Sequence, residues 1–375
     1  MLKRKIYNNI VESVKSGKVI VLLGSRRTGK TVILNKLKEA AKEPVLLLNG
    51  EDLSTHELLE RRTVQNYKQL LGDKKFLLID EAQKISGIGI KLKLMIDEIK
   101  DLKIIVTGSS AFDIHNSTGE PLTGRMLTFN LFPLSEQELS SYENVTERKD
   151  NLLHRLIFGN YPEPYFLSDN EEKIKYLKEL LNTYLLKDIL SLENIKNSMV
   201  IFNLLRLLAY QVGNEVSTNE LANNLQINKQ KVDKYLDLLT KVFVIFRLQG
   251  YSRNLRKEVV KSSKWYFFDN GIRNAVIANF NSVSSRNDIG ELWENYLISE
   301  RLKFREYNNI IANQYFWRTY DRQEIDLIEE REGKLFAYEM KWKKNKTKPP
   351  AAFVKNYNES SYTIISPENY FEWIT

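Results

Sequence analysis

The run Val19-Ile-Val-Leu-Leu-Gly24-Ser25-Arg26-Arg27-Thr28-Gly29-Lys30-Thr31 carries the residue types and spacing of a phosphate-binding loop, G-x-x-x-x-G-K-T. Gly24 and Gly29 let backbone N–H groups converge on phosphate oxygens with no Cβ in the way. Lys30 is placed to reach β- and γ-phosphates, and Thr31 to offer a hydroxyl to magnesium. A second chemical run, Phe76-Leu-Leu-Ile-Asp80-Glu81, ends four apolar residues on two carboxylates. Asp80 suits a magnesium ligand there, and Glu81 suits the group that orients or deprotonates an attacking water. A third, Asp101-Leu-Lys-Ile-Ile-Val-Thr107-Gly-Ser109-Ser110, ends in small hydroxyls, any of which can sense the γ-phosphate or the water. Arg125, after Leu122-Thr-Gly, has two open readings: a guanidinium beside a transferring phosphoryl group, or a surface arginine that starts a strand.

These groups need a scaffold. Each run reads as a buried strand leading into a loop, and Val-Ile-Leu-Asn-Lys-Leu-Lys-Glu-Ala after Thr31 reads as a helix whose N-terminus faces the anion. Strands alternating with helices over residues 1–140 predict a mostly parallel sheet in an α/β fold. Helices are expected over Leu152–Phe158, Glu172–Ser191 and Ser198–Val212.

Residues 1–140 resemble the ATPase domain of AAA-type proteins of archaea and bacteria. The resemblance rests on Gly24-Ser-Arg-Arg-Thr-Gly-Lys-Thr, Asp80-Glu-Ala-Gln, Thr107-Gly-Ser-Ser, Gly124-Arg125 and Leu131-Phe-Pro-Leu-Ser135, with Gly159-Asn-Tyr-Pro-Glu163 and Thr183-Tyr-Leu-Leu-Lys-Asp188 downstream. It implies ATP bound by residues 24–31 with Ser109 nearby, Mg2+ held by Thr31 and Asp80, and Arg125 as a finger in its own chain or across the interface of a homo-oligomer. It further implies a winged-helix-like module and then a restriction-endonuclease-like α/β domain. The expected domains are 1–140, 141–283 and 284–375.

The later segments carry residues of their own. Val216-Ser217 through Leu225 reads as a short helix with Ser217 and Glu220 as a capping box. Lys229–Val242 follows after a turn, giving a helix-turn-helix, and Phe243–Leu248 with Lys264–Phe268 form its expected wing. Asn228, Lys229, Gln230, Lys231 and Lys234 would then face DNA. Residues 226–275 hold eleven Lys/Arg against four acids, nearly the whole chain's +8 excess, as a phosphate-rich partner would require. A packing role for the module is the bland alternative.

From Gly290 to Leu302 a helix is predicted, with Glu294 on the inward face of Leu297 and Ile298. Strands are expected at Gln314–Trp317, Glu324–Ile328 and Lys334–Trp342. On the last of these, Glu339 and Lys341 point the same way, and a neighbouring strand can bring Asp326 beside them. This is the D-x-n-E-x-K pattern of the restriction-endonuclease-like fold. In it Asp326 and Glu339 hold magnesium, Lys341 acts on water or phosphate, and Glu294 adds a helix acid. The lysines from Lys341 to Lys348 are either a hold on a phosphate backbone or a solvated loop.

Composition narrows the rest. The absence of cysteine excludes disulfides, Cys-based zinc sites and thiol catalysis, and His56, His115 and His154 form no ligand or triad spacing. No apolar run approaches a membrane span, and the first residues lack a secretion signal's apolar core, so a cytoplasmic protein is expected. Two functions fit: an ATPase coupled to DNA binding and Mg-dependent cleavage, or a signalling or scaffold ATPase whose C-terminal part binds a protein partner or DNA and cleaves nothing.

Overall fold

A computed structural model of the chain describes residues 2–15, 17–109, 122–185, 198–251, 263–319, 321, 323–343 and 348–375. Among the sequence expectations, Ser110, His115, Leu186–Asp188, Arg253, Arg256, Lys257, Glu258, Lys261, Lys344 and Lys346 lie outside the described residues. The chain groups into two units: residues 1–132 with 241–243, and residues 133–240 with 244–375.

In the first unit, Val19–Leu23 (β1) is buried at every position, as a strand covered on both faces must be. With β2 (Val45–Asn49), β3 (Phe76–Asp80), β4 (Lys103–Gly108) and β5 (Met126–Asn130) it forms a sheet in the order β2-β3-β4-β1-β5. Every pairing in it is parallel. Helices α1 (Ile6–Ser13), α2 (Lys30–Ala40), α3 (Leu53–Glu60), α4 (Val64–Leu71) and α5 (Ile88–Glu98) accompany it. Because the strands run parallel, the ends of β1, β3 and β4 open on one edge, where ligands of open α/β sheets bind. β4 lies between β1 and β3, so Gly108 pairs with Leu23 on one side while Val106 pairs with Ile79 on the other.

The second unit continues with α6 (Glu136–Leu139), α7 (Val145–Phe158), α8 (Pro162–Phe166), α9 (Asn170–Glu179) and α10 (Ser198–Tyr210). The helix expected over Glu172–Ser191 is interrupted: α9 gives way at Leu180 to a wider turn over Leu180–Leu185. Next come β6 (Glu215–Val216), α11 (Thr218–Leu225), α12 (Lys229–Lys241), β7 (Ile245–Gly250) and β8 (Ser263–Phe267). Ser217 stands at the start of α11, but its side chain accepts no N–H there, so the expected capping box is not formed. Gln226 turns the chain in the left-handed region (φ 53°), and α12 buries Val232, Leu236, Leu238 and Leu239.

The last elements are α13 (Asn270–Ile277), α14 (Ile289–Tyr307), β9 (Asn313–Arg318), β10 (Glu324–Arg331), β11 (Lys334–Met340), α15 (Ala351–Asn356), β12 (Ser361–Ile365) and α16 (Tyr370–Ile374). β9, β10 and β11 are antiparallel neighbours, and β12 joins β11 in parallel. β7 pairs with β9, so one sheet runs β12-β11-β10-β9-β7-β8-β6. The boundary expected near residue 284 is therefore bridged by a continuous sheet, whose backbone hydrogen bonds tie the two segments into one unit.

α14 is unusual in burying polar as well as apolar residues: Trp293, Leu297 and Ile298, but also Asn295, Glu300, Arg301 and Lys303. Each is partnered. Arg301 grips Glu329 through two bonds of 2.8 Å, and Lys303 meets Glu300 at 2.6 Å. Asn295 Oδ1 accepts the Phe267 N–H at 2.7 Å. Glu136 N–H donates to Glu300 at 2.8 Å, and Asn160 N–H donates to Asp269 at 2.6 Å. The Ser135 and Gly159-Asn160 neighbourhoods thus serve the interior, where an unpartnered polar group would cost several kcal/mol. No described helix is long and apolar enough to cross a membrane.

Candidate functional site

The loop after β1 has the geometry that anion binding needs. Gly24 approaches the chain so closely that a Cβ there would lie 2.2 Å from the Leu131 carbonyl oxygen. Gly29 sits in the left-handed region (φ 99°) and starts α2. Arg27 is also left-handed (φ 64°), a conformation uncommon for non-glycine residues. Thr28 closes the loop by donating to Ser25 O at 2.8 Å, and Arg26 lies 3.8 Å from Glu51. Lys30 Nζ is buried and donates to the carbonyls of Gly24 (2.8 Å) and Ser25 (3.0 Å), 4.0 Å from Glu81. Thr31 Oγ1 donates to Asp80 Oδ2 at 2.7 Å, so the hydroxyl and carboxylate that would share a magnesium ion are already side by side.

The strand between them supplies the rest. Thr107 Oγ1 donates to Asp80 Oδ1 and accepts the Glu81 N–H at 3.0 Å. Gln83 bridges Glu81 Oε2 (2.6 Å) and Ser109 Oγ (3.0 Å). Arg4, from the N-terminal segment, donates to Thr28 O at 2.5 Å and Phe132 O at 2.6 Å, which ties the loop down from outside. Gln83 stood in the quoted motif without a role, and Arg4 lay in no motif. Gln83 is a sequence neighbour of Glu81, whereas its bond to Ser109 and both Arg4 contacts join residues distant in the chain.

The second unit holds a separate cluster of ionisable groups. The β10–β11 register ends on Leu327 opposite Tyr338, and Asp326 and Glu339 are the next residues on their strands beyond that pair. A register shift between Ile325 and Ile328 breaks the β9–β10 ladder over Asp326 and Leu327, and such bulges re-aim side chains. Asp326 Oδ2 accepts the Met340 N–H at 2.7 Å, and Lys341 Nζ meets Glu339 Oε1 at 2.6 Å. Glu339 Oε2 is buried without a hydrogen-bond partner. Burial pushes Glu339 up to about 7, helped by the Asp326 charge and opposed by Lys341. Burial raises Asp326 as well, against Lys264 and the Met340 N–H.

Glu294 enters the same cluster differently from expectation. Its Oε1 accepts from Tyr266 at 2.6 Å and lies 3.3 Å from Lys264 Nζ, which also pairs with Glu324. Burial, then Asp326, lifts Glu294 to about 7, with Lys264 acting against them. Among the described residues no three His, Asp or Glu side chains converge as a metal cage. The arrangement is a carboxylate pair, Asp326 and Glu339, flanked by two lysines, with Glu294 already engaged.

Comparison with known proteins agrees with the loop's geometry. A family model described as an AAA domain matches residues 16–140. Residues 16–140 are a P-loop ATPase domain of AAA type. Two further matches, both to domains of unknown function, cover residues 149–283 (DUF8612) and 289–369 (DUF4143). An uncharacterized protein of Haemophilus influenzae is 25% identical over 359 residues, 88% of this chain and 84% of that one. One from Mycobacterium tuberculosis is 25% identical over 326 residues, 86% of this chain and 70% of its own. One from Methanocaldococcus jannaschii is 26% identical over 330 residues, 82% and 72% respectively. Among solved structures, a point variant of Thermotoga maritima RuvB shows a TM-score of 0.29 at 14% identity, over 61% of this chain and 82% of that one. At that score the likeness does not bear on this chain's reading.

Within the AAA domain, Arg125 is far from the phosphate loop. Its carbonyl accepts from Val19 N at 2.8 Å, and Val19 opens β1 while the loop follows β1's other end. That separation is roughly 16 Å at a strand's rise per residue. The guanidinium pairs with Asp97. A finger acting in its own chain is not formed, because the Leu-Thr-Gly-Arg turn leads into β5 at its N-terminal end.

The basic stretch beyond the AAA domain also needs correction. Lys264 and Arg273, two of its eleven cations, are buried. Arg273 donates to Ala209 O at 2.9 Å and pairs with Asp288, so neither is surface charge. Lys229, Lys231 and Lys234 are exposed at the start of α12, beside Asn228 and Gln230.

Proposed function

We propose that the protein is a magnesium-dependent ATPase that couples its nucleotide state to DNA binding and to magnesium-dependent nucleic-acid cleavage at a second site. The observation that supports the first activity is the Thr31–Asp80 contact beside the Lys30 loop. Residues 24–29 would wrap the phosphates with N–H groups, and Lys30 would exchange its carbonyl partners for phosphate oxygens. Thr31 and Asp80 would hold Mg2+, which when bound neutralises charge across the β- and γ-phosphates. Glu81, steadied by Gln83, would take the proton of the attacking water.

At the second site Asp326 and Glu339 would hold a divalent cation, and the orphaned Glu339 oxygen supports that fit. Such an ion polarises a phosphodiester and lowers the pKa of its bound water. Lys341 would position that water or steady the phosphate. The exposed lysines of α12 support DNA contact through the phosphate backbone. A binding-only ATPase, with a protein partner or DNA at the second unit, is favoured by one observation: both lysines already neutralise acids of the cluster.

The test of the first activity is phosphate release from Mg-ATP together with nucleotide affinity. Lys30→Ala should weaken binding, and Glu81→Gln should keep binding and lose turnover. Undiminished hydrolysis by Lys30→Ala would overturn the assignment.

A further inference from the structure

Lys264 belongs to β8, inside the 149–283 match, yet its ammonium lies among acids of the 289–369 match. Its side chain is 1% exposed, 3.3 Å from Glu294 Oε1 and in contact with Glu324 Oε1. Tyr266, two residues along the same face of β8, donates to the same Glu294 oxygen at 2.6 Å. A buried ammonium costs several kcal/mol unless acids surround it, so this lysine and these acids hold one another in place.

Its position divides the cluster into two ends. At one, Glu294 and Glu324 share Lys264. At the other, Asp326 and Glu339 lie just past the end of the β10–β11 ladder, where Asp326 accepts the Met340 N–H, with one Glu339 oxygen on Lys341 and the other without a partner. Arg318, 3.7 Å from Glu324, is balanced by Glu215 at 3.4 Å. Lys264 thus already fills the space between Glu294 and Glu324, while at the other end Lys341 meets one Glu339 oxygen and leaves Oε2 without a partner.

We propose that Lys264 is a resident counter-cation that fills the Glu294–Glu324 end, so that the site takes a single divalent cation, on Asp326 and Glu339, where four carboxylates would otherwise take two. This rests on the reading of Asp326 and Glu339 as a divalent-cation site. It makes the site composite, completed by β8, the second strand after α12, so residues 289–375 alone carry an incomplete set.

The experiment counts bound Mn2+ by electron paramagnetic resonance on the full chain without nucleotide. A Glu294→Gln/Asp326→Asn/Glu339→Gln variant gives the baseline, which removes any ion held in the AAA domain. The expected count above baseline is one for the unaltered chain and two for Lys264→Met, because the Glu294–Glu324 end then accepts an ion. Two ions on the unaltered chain, or one on a folded Lys264→Met chain, would overturn the proposal. No ion above baseline on the unaltered chain would remove the divalent-site reading itself, and this inference with it. If Lys264→Met does not fold, Lys264→Gln removes the charge and keeps a hydrogen-bond donor toward Glu294 and Glu324. It should bind two ions above baseline, and a count of one rejects the counter-cation role.

Discussion

Gln83 and Arg125 exchange importance once side chains are placed. Gln83 Nε2 holds Glu81 Oε2 at 2.6 Å and Ser109 Oγ at 3.0 Å, so it fixes where the proposed base points. Gln83→Ala should lower ATP turnover by about 10–100-fold, the scale of a misplaced reacting group, with nucleotide affinity kept. A normal turnover rate in that variant would show that Glu81 needs no such anchor. Arg125, salt-bridged to Asp97 at the far end of β1, predicts the opposite. At dilutions where the chain is monomeric, Arg125→Ala should hydrolyse ATP at the unaltered rate, and any loss should emerge only where a second copy can supply the guanidinium. Lys30, Thr31, Asp80 and Glu81 were legible in the sequence because each is placed by a strand and the loop directly after it. Gln83 sits two residues from Glu81, but its second partner Ser109, like the acids around Lys264, is brought near only by the tertiary fold.

At the scale of elements, periodicity located the strands and helices well but misjudged which charges face water. Arg273 was counted as surface charge, yet Arg273 and Arg286 are buried and converge on Asp288, on the segment entering α14. Burial alone would raise Asp288, but the two guanidiniums hold it down to about 2. Asp288→Asn should destabilise the protein by about 3–5 kcal/mol at neutral pH, because it strands two buried cations. A carboxyl whose folded pKa is depressed stabilises above the ordinary carboxylate range and loses that contribution as pH falls through about 2. Chemical denaturation across pH should therefore show the gap between the two proteins closing toward acid, and a gap that widens there would contradict the account. The start of α12 carries the other element-scale prediction. Replacing Lys229, Lys231 and Lys234 together by Ala should weaken duplex DNA binding for all sequences and flatten its log–log salt slope by roughly 3. Unchanged binding and slope would make α11 and α12 a packing unit.

For the whole molecule, the order of a phosphate loop, two helices joined by a turn and a segment carrying paired acids could be read from short local patterns. The joining of the last two could not, because the β7–β9 pairing is backbone hydrogen bonding between strands that no motif marks. The β10 irregularity between Ile325 and Ile328 was hidden because Ile325–Glu329 are all buried, so no alternation exists for an extra residue to shift. The phosphate loop and the Asp326–Glu339 pair lie in different units, so their chemistry should separate cleanly by mutation. The most direct measurement is magnesium-dependent cleavage of labelled DNA by the full chain with ATP, comparing the unaltered protein with Asp326→Asn and following phosphate release in the same tubes. The account predicts cleavage lost in Asp326→Asn while phosphate release continues. Equal cleavage by both purified proteins, or no cleavage by either, would contradict it.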